Sequence, residues 1–280
     1  MRMTWVMAAV LALAGPAWAQ SNLPSDGTPQ EKQQFEAGKA AHDAGNYAEA
    51  LRLWTDLGNK GFSGAEVNLC VMYENGEGTP VDYAAAASWC RKSADQGFAA
   101  GQGNLGILYA NGYGVPKDEV VAAQWYRKAA EQGYVDAQYN LGADYDVGRG
   151  VPQDDLQAIA WYRKAADQGD AASQYNLGVF YATGRSVTRD YAQAAAWYRK
   201  SADQGYADAQ NNLGVLYIDG HGVPADKVEA YMWITLAIAH AEFPDTLDRA
   251  TQTKAKLAGT MTAAEIAAAE REAAAWKPAP

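Results

Sequence analysis

The chain has 280 residues, 49% of them hydrophobic and 20% charged, a balance that builds a sizeable core and excludes wholesale disorder. Its 33 acidic residues against 23 basic ones leave a net charge of −10, which excludes nucleic acid and anionic membrane as partners, because both demand a basic footprint. Two cysteines and three scattered histidines (His42, His221, His240) are too few for a metal cage, so neither metal nor cofactor is expected.

Residues 1–19 read as a secretory signal peptide. Arg2 supplies the positive start, Val6 to Ala14 the short apolar run, Gly15-Pro16 the break and Ala17-Trp18-Ala19 the cleavage site. The apolar run falls short of the roughly 20 residues a membrane span needs, so no membrane insertion is expected after cleavage. Export places the mature chain in the periplasm of a Gram-negative bacterium or outside the cell. Residues 20–30, rich in Ser, Pro, Asp and Gly, read as a flexible leader.

From there a period of 36 residues organises the chain. Trp89, Trp125, Trp161, Trp197 and Trp233 keep it without a slip, as do Leu69, Leu105, Leu141, Leu177 and Leu213. Within a unit, Ala137, Leu141 and Tyr145 recur at i, i+4, i+8 along one helix face. In the next segment Asp118 caps a second helix that carries Ala122, Trp125 and Ala129. The intervening Asn111 to Pro116 is a turn, and Gln132-Gly133 closes the second helix with a glycine suited to a left-handed cap. Each unit is a helix hairpin that must stack on its neighbour to bury its apolar faces.

The repeated pattern A-x3-L-G-x2-Y-x2-G-x-G-V-x2-D-x3-A-x2-W-x3-A-x2-Q-G resembles the Sel-1-like repeat, a relative of the tetratricopeptide repeat. Five units over residues 62–241 carry it. Cys70 replaces the first-helix glycine, Gly101 an alanine, and Ser186 and Thr188 a loop glycine and proline. Residues 31–61 read as a tetratricopeptide-like helix pair and 242–280 as capping helices and tail. The fold class expected is all-α: a right-handed helical-repeat solenoid of stacked antiparallel hairpins.

The paired glycines such as Gly112 and Gly114 serve turn geometry, since no strand precedes and no Lys-Ser follows as a phosphate cradle requires. Arg91-Lys92, Arg127-Lys128, Arg163-Lys164 and Arg199-Lys200 form a basic ladder. An acidic residue four positions after each arginine is expected to compensate it on a solvated outer face. The tryptophans are expected to fill the gap left by Gly and Ala on the adjacent first helix. Cys70 and Cys90 stand where other units carry Gly and Tyr; both exceptions fall in one hairpin, which together with export predicts a disulfide.

The column Asn68, Asn104, Asn140, Asn176 and Asn212 is the most informative polar feature. Tetratricopeptide-like first helices line a concave surface, so the resemblance puts these amides along a groove with Val67, Ile107, Tyr139, Tyr175, Asn211 and Val215. Two roles stand side by side: amide bridges between repeats, or ligand contacts, with Asn104, Tyr139, Asn140, Tyr175, Asn176 and Asn212 as candidate ligand-binding residues. Some relatives have been linked to β-lactam binding or hydrolysis. This chain, however, contains no Ser-x-x-Lys, Gly-x-Ser-x-Gly or His-Glu-x-x-His, so no catalytic residue is assigned. The expected function is a non-catalytic protein- or peptide-binding scaffold of the bacterial envelope; the resemblance implies regulation of a sensor or of an envelope-assembly partner through the concave groove, without choosing between them. A β-lactam- or peptidoglycan-directed hydrolase and a secreted factor binding host proteins are the alternatives.

Overall fold

The computed structural model describes residues 27–279; the signal peptide expected at 1–19 and most of the leader expected at 20–30 lie outside them. Among the described residues there are fourteen helices and no strand. The first is α1 (Pro29–Asp43), followed by α2 (Tyr47–Asn59). The five repeats then supply first helices α3 (Ser63–Asn75), α5 (Ala99–Asn111), α7 (Val135–Val147), α9 (Ala171–Thr183) and α11 (Ala207–Asp219). Their second helices are α4 (Tyr83–Asp95), α6 (Glu119–Glu131), α8 (Asp155–Asp167), α10 (Tyr191–Asp203) and α12 (Lys227–His240). Helices α13 (Pro244–Ala258) and α14 (Ala263–Ala275) close the series, both packed on α12.

The helix ends follow from local chemistry. Asp82, Asp118, Asp154, Asp190 and Asp226 each accept backbone N–H groups at the start of a second helix, satisfying donors that have no partner inside it. Gly76, Gly112, Gly184 and Gly220 end first helices in the left-handed conformation. The leader ends earlier than the expected residue 30, because Thr28 and Glu31 form a reciprocal capping box around Pro29, whose fixed φ suits the first helical position.

The chain forms two compact units, divided within α7. One runs to Gln138 and includes Arg149–Val151; the other holds Tyr139–Gly148 and the residues from Pro152 onward. In the first unit Phe35, Trp54, Leu57, Leu69 and Met72 make one core cluster, and Cys70, Cys90, Leu105 and Leu108 another. The second unit has a cluster around Tyr162, Leu177, Phe180 and Trp197, and a larger one running from Tyr175 through Trp233 to Ala269.

Candidate functional site

In the second to fifth repeats a glycine on the first helix receives a large side chain from the second. A methyl group placed on Gly106, Gly142 or Gly178 would stand 2.6, 2.9 or 2.5 Å from the ring of Tyr126, Tyr162 or Tyr198. Tyrosine, and not the neighbouring tryptophan, therefore fills the glycine gap, which corrects the sequence expectation. In the first repeat the same two positions hold Cys70 and Cys90, bonded to each other with Cα atoms 5.3 Å apart and fully buried. The tryptophans turn outward to the seam between repeats, where Trp89 lies against Gly58 of α2.

That seam also absorbs the basic ladder. Lys92, Lys128 and Lys164 place Nζ 3.7, 3.8 and 3.7 Å from the ring centres of Trp89, Trp125 and Trp161. Arg163 reaches across to the next repeat, donating to the Tyr181 hydroxyl at 2.9 Å and lying over the Trp197 ring at 4.7 Å. Arg91 and Arg199 reach Tyr109 and Tyr217 likewise. These guanidinium groups serve the next repeat in place of the carboxylate four residues along, because a flat, weakly hydrated cation stacks on an aromatic face at little desolvation cost.

Glutamines do the bridging considered for the asparagines. Gln102, Gln138, Gln174 and Gln210 donate to carbonyl oxygens of Ala94, Ala130, Ala166 and Ala202 on the preceding second helix. Gln132 and Gln204 donate in turn to Gln102 and Gln174 at 2.8 and 2.9 Å. The signal was present in the sequence, as glutamines repeating every 36 residues in both helices. At Glu66 the column carries an acid, whose carboxylate accepts from Gln96 at 2.6 Å; burial pushes it up to about 7 although Lys92 opposes the shift.

The asparagine column divides by exposure. Asn68 and Asn104 in the first unit are buried, with no protein partner for either amide nitrogen, and Val67 is covered as well. In the second unit Asn140, Asn176 and Asn212 are partly exposed. Asn212 is already engaged: its Oδ1 accepts from Asn211 at 3.3 Å. Tyr175 is only 9% exposed, with its ring 5.9 Å from Tyr198 and 5.3 Å from Tyr206. Tyr139 is partly exposed, 6.0 Å from Tyr162. Of the sequence candidates, the second unit thus presents Tyr139, Asn140 and Asn176 at its surface.

Nearby, Arg185 joins the carboxylates of Asp146 and, at 3.3 Å, Asp155 while lying 4.1 Å over the Phe180 ring. Burial holds Asp146 above the usual carboxylate range although Arg185 pulls the other way. This cluster ties the end of α7, the start of α8 and the loop after α9 together. No group of three or more His, Cys, Asp or Glu side chains suited to holding a metal occurs among the described residues, and no described helix is long and apolar enough to cross a membrane.

Stacked hairpins sealed by repeating Gly–Tyr, Gln–carbonyl and Arg–Trp contacts define a tandem helical-repeat protein of the solenoid class. The Sel1 repeat model matches residues 63–98, 99–134, 135–170, 171–206 and 207–241, and the chain belongs to that family. No curated protein sequence matches. Among solved structures, a protective antigen of uropathogenic Escherichia coli strains displaying an SLR fold is 34% identical with a TM-score of 0.75, over 87% of this chain and 53% of its own. The chain therefore spans about half the length of that antigen. A Sel1 repeat protein from Oxalobacter formigenes is 32% identical with a TM-score of 0.74, over 86% of this chain and 96% of its own. An immunity protein from Pseudomonas aeruginosa shares the fold at 20% identity and a TM-score of 0.50, over 79% of this chain and 88% of its own. Sel1-repeat proteins are generally non-catalytic scaffolds for protein–protein binding.

Proposed function

We propose that this chain is an exported, non-catalytic scaffold that holds a segment of another protein on the first-helix face of its second unit. The observation that carries the reading is the exposure of Tyr139, Asn140 and Asn176 on consecutive first helices, at the spacing of one repeat. Amides both donate to and accept from a peptide backbone, and tyrosine adds apolar area with a polar tip. A preformed helical face binds with little ordering cost of its own. The signal-like N-terminus supports export to the periplasm or beyond, where a sensor ectodomain or an envelope-assembly factor is the kind of partner such a scaffold regulates.

The test is a photo-crosslinking residue at position 176 in the mature chain, expressed in its own envelope, with Lys164 on the basic ladder as the control position. A protein captured from 176 and not from 164 supports the reading; capture from neither overturns it. Asn140→Ala with Asn176→Ala is expected to weaken binding of the captured protein about tenfold. The melting temperature should stay unchanged.

A further inference from the structure

The last seam differs from the others in its bridging residue. Gln96, Gln132, Gln168 and Gln204 stand at the ends of four second helices, and the fifth repeat has His240 in that place. Gln132 Nε2 donates both to Gln102 and, at 3.0 Å, to the carbonyl oxygen of Gly97, where the preceding second helix ends. His240 keeps the first contact, with Nδ1 3.0 Å from Gln210 Oε1. An imidazole nitrogen carries at most one hydrogen where an amide carries two, so it gives nothing further to the edge at Gly205. The chain's own C-terminal segment comes to that edge instead. The Ala279 N–H donates to the carbonyl oxygen of Asp203 at 2.7 Å, and Asp203 is the last residue of α10, whose carbonyl has no partner inside the helix. The Trp276 ring lies 5.1 Å from His240 and 6.5 Å from Trp233. It also covers Gly205, where an added methyl group would meet it at 3.8 Å, whereas at Gly97 and Gly169 such a group would meet nothing within 4 Å.

We propose that the edge formed by the Asp203 carbonyl, Gly205, Trp233 and His240 is a binding site for an extended segment of a partner protein that carries a tryptophan two residues ahead of a proline, and that residues 276–279 are its resident occupant. The occupant on the page defines the chemistry. Pro278 fixes its own φ and holds Lys277 extended, so the segment loses little freedom on docking. Ala279 stands between two prolines and presents the one N–H of that stretch, which is the group the Asp203 carbonyl accepts. The glycine at 205 lets the tryptophan ring come down on the backbone, and Trp233 and His240 wall it on the side of α12. Lys277 and Pro278 are exposed, so the hold on this edge is one ring and one hydrogen bond, which a competing segment can displace. The site shares no residue with the first-helix face proposed above, and neither reading depends on the other.

The test offers the chain its own tail in trans, as a fluorescent peptide with the sequence of residues 272–280. Full-length mature chain carrying Trp276→Ala and Ala279→Pro, which removes the ring and the N–H, is expected to bind this peptide at least about tenfold more tightly than wild type, because a tethered tail competes at an effective concentration in the millimolar range. A peptide with alanine for its tryptophan, or with N-methylalanine at the position of Ala279, should bind that variant about tenfold more weakly. Binding should shift the NMR signals of the Gly205 amide and the Trp233 indole N–H. Ala279→Pro alone leaves the Trp276 packing in place, should keep the wild-type melting temperature and should show a smaller gain in peptide affinity; it decides the matter where the double variant does not fold. Equal binding to wild type and variants, or no binding to any, would mean that the tail only caps the last repeat, and the proposal falls. Undiminished binding of the peptide without tryptophan, or shifts confined to other residues, also overturns it.

Discussion

Glu66 is the one acid in a column of bridging glutamines, and burial lifts it to about 7. The folded chain then holds this proton more tightly than the unfolded chain does, so stability falls as pH rises from the ordinary glutamate value near 4.5 to about 7, and the loss is complete above that. Glu66→Gln restores the amide pair seen at Gln132–Gln102 and removes the penalty. It is expected to raise stability by on the order of 1–3 kcal/mol at pH 8 and to change little at pH 4, read from urea midpoints at the two pH values. The tryptophans give a second test of the seam. Trp161 is 6% exposed, under Lys164, so Trp161→Ala should cost about 3–5 kcal/mol. Trp125 is half-buried, and Trp125→Ala should cost less; equal midpoints for both variants and wild type would mean that the column bears no seam.

At the scale of the element, two glycines with positive φ have different reasons to be glycine. Gly97 ends a second helix at φ +85° with nothing within 4 Å of an added methyl group. Gly114 combines φ +67° with a close approach to the preceding second helix, and a methyl group there would overlap the Tyr83 carbonyl oxygen. Gly97→Ala is expected to cost about 1 kcal/mol, the left-handed penalty alone. Gly114→Ala must also push the loop backbone away from that helix, and its melting temperature should fall several times further. The fourth repeat shows what a side chain needs at this place. Ser186 adopts φ 54° where other repeats have glycine, and its hydroxyl donates to Asp155 at 2.7 Å, anchoring the loop to the start of α8. The loop keeps its shape despite losing both glycine and proline.

On the scale of the whole molecule, the one covalent staple lies in the first unit. Cys70–Cys90 replaces a Gly–Tyr contact, which already brings the two helices close, so the bridge needs no rearrangement of the hairpin. Closing a loop of 20 residues contributes ~3 kcal/mol in the chain-entropy model. Cys70→Ser with Cys90→Ser should therefore lower the denaturation midpoint by about that free energy. Mass spectrometry of protein isolated without reductant and alkylated at once should find no free thiol. Because both sulfurs are fully buried, reductant should act on the native protein only as fast as the hairpin opens.

Everything that repeats within one hairpin can be read along the chain: the period, the aspartate caps, the glycine turns and the pairing of Cys70 with Cys90. Those features arise from contacts within about 20 residues, and five copies in register make them legible. The sequence also singled out Tyr139, Asn140 and Asn176, although not why these differ from Asn104. Tertiary structure alone decided which side chain of one repeat meets which of the next. Arg163 pairs with Tyr181 and Trp197 in place of Asp167, glutamine bridges where asparagine was considered, and Asn104 is covered while Asn140 is not. The physical reason is that seam contacts depend on the rotation of one hairpin upon another, and a 36-residue spacing is the same for every rotation. The exposure that makes a residue available to a partner is set by that packing.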